Sequence, residues 1–131
     1  MSVNVYSLSK EGSKKVSYNF RVHEFKCEDG SDPVFIDPAL VQVLQSVRNH
    51  FGRPVHINSG FRTAAHNATV KNASKYSQHL YGRAADFWVE GVGPVEVYGY
   101  LCAILPNSGG IGLYSDFVHV DTRANKSRWK G

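Results

Sequence analysis

Hydrophobic and polar positions along the chain alternate between two periods. Leu40, Leu44, Val47 and Phe51 recur at helical spacing, with Asp37 at the capping position and Pro38 in the first turn. Gly52 and Pro54 end the pattern, which predicts a helix over 38–51. Thr63 caps a second predicted helix over 64–70, followed by a polar loop from Lys71 to Ser77. Pro94 opens a third, whose face carries Val97, Leu101 and Leu105 and which Pro106 closes. Strands are predicted at 55–58, ending in Ser59-Gly60, and at 84–89, between Gly82 and Gly91. Two more, 110–114 and 117–122, are separated by Ser115 and Asp116 alone, a hairpin-length connection. Residues 1–36 read as irregular or short-stranded, with Phe20, Val22 and Phe25 set among polar neighbours. About three helices packed on a mostly antiparallel sheet make an α+β fold.

Length and composition bound this reading. At 131 residues, 42% hydrophobic and 20% charged, the chain fits one domain, with 1–17 as an opening segment and 18–131 as the core. Seven Phe, seven Tyr and two Trp exclude disorder, and irregularly spaced glycines exclude a fibrous repeat. Fifteen Lys and Arg against eleven acids give a formal charge of +4, which favours anionic surroundings. The basic residues are scattered without interleaved aromatics, so no nucleic-acid partner is expected. Cys27 and Cys102 lack CxxC spacing and read as small hydrophobes in a reduced protein. The first six residues carry neither a basic cluster nor an apolar stretch, so no signal peptide is expected. No window approaches the ~18 apolar residues of a membrane span. A monomer made in the cytoplasm is the expectation.

Candidate chemistry narrows to two of the six histidines. His50 sits at a helix C-terminus, where an imidazolium meets carbonyl dipoles, and His23, His56 and His66 have no acid or histidine at ligand spacing. Asp86 follows His79 by seven residues (86 − 79), with Gly82 between them to let the chain bend. Strand alternation puts Ala84, Asp86 and Trp88 on one face, and Phe117, His119 and Asp121 on another. An acid on an apolar strand is costly to bury unless its charge is compensated. One divalent cation shared by Asp86, His79 and His119 removes the difficulty at both strands. Two imidazoles and a carboxylate suit Zn²⁺ and leave one position for water, the catalytic arrangement. Asp116, at the hairpin tip three residues before His119, is the candidate general base. The alternative is an ordinary buried His–Asp hydrogen bond. Gly109-Gly110-Ile111-Gly112 lacks the Lys-Ser/Thr ending and following helix of a phosphate loop, so hairpin geometry accounts for it. Trp88 and Trp129 read as core residues beside apolar strand positions.

The segment Ser77-Gln78-His79-Leu80-Tyr81-Gly82-Arg83-Ala84-Ala85-Asp86 resembles the SxHxxGxAxD signature of the zinc D-alanyl-D-alanine carboxypeptidases and dipeptidases. That family includes L-alanyl-D-glutamate endopeptidases and shares its fold with the hedgehog signalling domain. Asp116-Phe117-Val118-His119 resembles the family's acid-x-x-His element. The likeness extends through 20–25, Ser59 to Thr63 and Arg128-Trp129, covering about residues 18–131. The resemblance implies one zinc ion held by His79, Asp86 and His119. It puts Asp116 in the place of the catalytic acid, which is Glu in many relatives. Arg62 matches an arginine that meets the substrate's carboxylate or polarised carbonyl, and Ser77 matches a position that hydrogen-bonds substrate backbone. Asp121 then orients a ligand histidine instead of binding metal. The implied activity is hydrolysis of peptidoglycan stem peptides, as a D-Ala-D-Ala carboxypeptidase or an L-Ala-D-Glu endopeptidase. Such a protein acts on the cell wall after release or export by another route, as phage-type lysins do. A non-catalytic zinc module that binds wall peptide or a protein partner is the competing reading.

Overall fold

The computed structural model describes residues 3–131. Met1 and Ser2, where the expectation about a leader begins, lie outside the described residues. The N-terminal third forms two small ribbons. Strand β1 (Asn4–Ser7) leads into a single turn, α1 (Leu8–Glu11), and then β2 (Lys15–Ser17), β3 (Phe20–Arg21) and β4 (Pro33–Ile36). β1 pairs antiparallel with β4, and β2 with β3.

Helix α2 (Pro38–Phe51) has the bounds its sequence predicts. The Asp37 side chain accepts from the Ala39 N–H at 2.9 Å, and Gly52 closes the helix in the left-handed conformation. Asp37 does more than cap. Its other carboxylate oxygen accepts from the Thr122 hydroxyl at 2.6 Å, and its N–H donates to the Gly82 carbonyl at 2.9 Å. One buried residue thus joins the start of α2 to two segments that flank the central sheet.

That sheet is built from β5 (Val55–Ser59), β6 (Ala84–Val89), β7 (Gly110–Leu113), β8 (Val118–Asp121) and β9 (Ser127–Lys130), in the order β5-β6-β8-β7-β9. The pairs β5·β6, β6·β8 and β8·β7 are antiparallel, and β7·β9 is parallel. Helices α3 (Ala64–Asn67) and α4 (Pro94–Ile104) complete the α+β architecture. Ala85, Phe87, Val89, Ile111, Val118 and Val120 on one face of the sheet join Leu40, Leu44, Val47, Val97 and Leu101 of α2 and α4 in one buried core. Each of the larger side chains contributes roughly 1.5–3 kcal/mol through burial. The opposite face carries Asp86, His119 and Asp121, the odd members of the same alternation.

Two predicted features differ. The helix expected over 64–70 is a single turn that ends at Asn67, whose buried amide donates to the Ser74 carbonyl and accepts from Arg62. Those bonds hold the following loop across the turn instead of letting it wind on. The parallel strand β9 was not predicted, because its Ser-Arg-Trp-Lys run has no alternation to read. Its anchor is Arg128, which donates to the carbonyls of Leu105, Ser108 and Gly109. Among the described residues no helix is long and apolar enough to cross a membrane.

Gly82 has φ +69°, and a Cβ there would overlap the Phe35 carbonyl. Gly82→Ala is therefore expected to lower the unfolding free energy by about 2–4 kcal/mol, read from urea denaturation, through backbone strain and overlap together.

Candidate metal centre

Three segments distant in sequence bring His79, Asp86 and His119 together. His79 lies on a 3-10 turn, Gln78–Tyr81, whose first N–H groups are capped by Ser77: the Ser77 hydroxyl accepts from the His79 N–H at 3.2 Å. Gly82 ends that turn and lets the chain enter β6, which delivers Asp86. Asp86 and His119 face each other across β6·β8 as register partners. The His119 Nδ1 is 2.8 Å from Asp86 Oδ1, and the His79 Nε2 is 3.4 Å from Asp86 Oδ2.

The far nitrogen of each imidazole is also engaged. His79 Nδ1 donates to the Gly60 carbonyl at 2.7 Å. His119 Nε2 donates to Asp121 Oδ2 at 2.7 Å. These bonds fix both rings with one nitrogen turned inward, as metal-binding histidines require. Asp121 is fully buried and also accepts from the Gly110 N–H and from the Arg123 N–H and guanidinium. Arg62 extends one guanidinium nitrogen to 3.6 Å from Asp86 Oδ2 and donates its others to Ser59 and Asn67.

Charge follows from this geometry. Burial works to raise the Asp86 pKa, but hydrogen bonds from His119 and His79 outweigh it and hold the carboxyl well below the usual range. Burial likewise opposes charge on His119, yet the carboxylates of Asp121 and Asp86 on its two sides push its pKa up. Asp121 is held low by His119 and Arg123 against the cost of burial. A buried ring between two carboxylates calls for positive charge, which a proton on Nδ1 or a divalent ion held by the same residues would supply. One donor atom from each of His79, Asp86 and His119 lies within 4.8 Å of the other two. Donors on a tetrahedral zinc lie roughly 3.3 Å apart. The donor set and its spacing fit a metal ion of that kind.

His79, Asp86, His119 and Arg62 open on a cavity of about 810 Å³ that is also lined by Ser77, Tyr114, Phe117, Arg123 and Trp129. Asp116 is not brought into it. That residue is exposed in the β7–β8 loop and lines a separate depression of about 80 Å³ with Trp88 and Pro94. The acid-x-x-His spacing carries no information on which way a loop carboxylate turns. Neither tryptophan belongs to the core. Trp88 is 39% exposed and stacks on His56, which pairs with Glu90. Trp129 leans over Gly112, where a Cβ would collide with the indole, and lies 5.1 Å from the His119 ring. Gly112 lies in the β7–β8 hairpin, as its sequence predicts, and also leaves a slot for an aromatic side chain. Alternation already put Phe117 beside His119, whereas Tyr114, Arg123 and Trp129 carried no such signal.

Asp121→Ala leaves His119 Nε2 and two backbone N–H groups without their acceptor. It is expected to cost about 3 kcal/mol in urea unfolding. Arg123→Ala, which leaves the fully buried Asp121 carboxylate without its guanidinium, is expected to cost about 2 kcal/mol in the same measurement.

Comparison with known proteins agrees with this geometry. The chain is 32% identical over 105 residues to the probable peptidoglycan L,D-endopeptidase MepK of Haemophilus influenzae, covering 73% of this chain and 55% of that protein. It is 35% identical over 95 residues to the peptidoglycan L,D-endopeptidase MepK of Escherichia coli K12, covering 66% and 51%. The chain spans about half the length of the curated relatives it matches. The family model for Peptidase M15 matches residues 17–121, a stretch that holds His79, Asp86 and His119, and the chain belongs to that family.

Proposed function

We propose that the chain is a zinc peptidase that hydrolyses peptide bonds in peptidoglycan stem peptides. The observation that carries the reading is the triad of His79, Asp86 and His119, with each imidazole oriented from behind, at the floor of an open cavity. When bound, zinc polarises the scissile carbonyl and lowers the pKa of a coordinated water. The chain's own residues supply the rest. Gly60 and Asp121 keep the imidazoles turned toward the ion, and Arg62 holds the substrate beside Asp86. Ser77 keeps its place at the cavity wall as a contact for substrate backbone.

Asp116 takes the proton of the attacking water and passes it to the departing amine in this reading. Phe117, its neighbour, lines the cavity, which supports a reach from the hairpin tip. Asp86 is a ligand and Asp121 is fully paired, so neither serves. A turn of the β7–β8 loop has to carry the Asp116 carboxylate toward His119.

Endopeptidase action fits better than carboxypeptidase action. Arg123 is committed to Asp121, so a substrate's terminal carboxylate finds no guanidinium at the cavity beyond Arg62. The names of the relatives point the same way. The location of Asp116 favours a second reading, a zinc module that binds wall peptide without cutting it. Among the described residues Asp86 is the sole carboxylate lining the cavity.

Zinc titration of metal-free protein is expected to saturate at one ion per chain, with His79→Ala and His119→Ala reducing this to none. Incubation with purified wall, followed by mass analysis, is expected to yield products of internal stem-peptide cleavage that a chelator prevents. Asp116→Ala is expected to keep its zinc and lose about 100-fold or more in rate. Zinc binding without any product from the unaltered protein selects the binding module.

A further inference from the structure

We propose that Tyr114 is a catalytic residue whose hydroxyl donates a hydrogen bond to the scissile carbonyl oxygen as negative charge builds there. This assignment rests on the peptidase reading above.

Tyr114 stands at the end of β7, on the cavity side of the sheet. Its N–H donates to the Phe117 carbonyl at 3.1 Å, and its ring stacks on Phe117 at 4.5 Å, 6° from parallel. The phenol oxygen accepts the Trp129 indole N–H at 2.9 Å. Trp129 is fixed in turn, because Gly112 leaves room for its indole, His119 lies against it, and the Arg123 guanidinium sits 5.4 Å from its ring. Ring and oxygen are therefore both held.

The hydroxyl proton has no acceptor among the described residues. A phenol both donates and accepts, and here only its accepting half is used. Tyr114 lines the same cavity as His79, Asp86 and His119. A hydroxyl that accepts one hydrogen bond while donating another is a stronger donor, since neighbouring bonds polarise each other. Such a group, set before the reaction starts, needs no reorganisation as the carbonyl oxygen gains charge. The other tyrosine at the cavity, Tyr76, is 71% exposed, with no partner for its hydroxyl among the described residues. Arg62 is already divided among Ser59, Asn67 and Asp86. Tyr114 is the aromatic donor that the fold has locked in place.

Tyr114→Phe keeps the stack on Phe117 and removes the hydroxyl alone. On a stem-peptide substrate, zinc-loaded Tyr114→Phe is expected to lose about 100-fold in kcat with KM nearly unchanged. Its zinc stoichiometry and melting midpoint should match the unaltered protein. Calorimetric affinity for a phosphinate analogue of the same peptide should fall by the same factor as kcat/KM, while affinity for the product peptide stays as it was. Trp129→Phe, which removes the indole N–H that locks the phenol, should give a smaller loss that does not add to that of Tyr114→Phe. An unaltered kcat in Tyr114→Phe overturns the proposal. So does a loss confined to KM, or one that follows loss of zinc. A starting protein that cuts no peptide and binds no phosphinate overturns the peptidase reading itself. A starting protein that cuts while Tyr114→Phe cuts equally well overturns the role of Tyr114 alone.

Discussion

The carboxylate of Asp86, half-buried among apolar neighbours, organises this face of the molecule. Asp86 sits on a strand whose neighbours Ala85 and Phe87 are fully buried, and a carboxylate there is tolerated only if cations or donors surround it. His119 meets it from β8, His79 from the 3-10 turn, and Arg62 from the segment after β5. These partners come from three separate stretches of chain. Satisfying one carboxylate therefore fixes the mutual position of most elements on that face of the sheet.

A second ring of interactions orients the first, in which His119 Nδ1 already bonds Asp86. The Gly60 carbonyl and Asp121 take the outer nitrogens, so each imidazole has one nitrogen left for the centre. Asp121 is itself neutralised by Arg123, whose side chain passes over Trp129. Polar order thus runs outward in layers, from His119 to Asp121 to the Arg123 guanidinium to the Trp129 ring. The other face of the same strands is dry and filled by α2 and α4. Strict alternation along β6 and β8 lets one sheet carry a hydrophobic core and an ionic site a single residue apart.

What could be read from the sequence was local. Helix α2 was legible because Asp37, Pro38 and Gly52 encode both ends within the segment, and β6 because glycines at 82 and 91 bound an apolar and aromatic run. His79, Asp86 and His119 were legible as a set because burying Asp86 demands compensation, whatever the topology. The rest depended on distant partners. β1 finds β4 across some thirty intervening positions, and β9 reaches β7 in parallel, a pairing no hairpin signal announces. Trp129 appeared to be core since the sequence cannot tell that Gly112 will lie beneath it. The orientation of Asp116 was illegible for the reason loops in general are: turn geometry, not spacing, directs the side chain.

Asp37 gives this architecture an unexpected economy. The same carboxylate that starts α2 also grips Thr122, next to Asp121, while its amide holds Gly82 at the end of the turn bearing His79. The hydrophobic and the ionic half of the molecule thus share one buried anchor. An ion settling among the ligands would stiffen a helix on the far side of the sheet, and looseness at that helix would be felt as weaker grip on the ion.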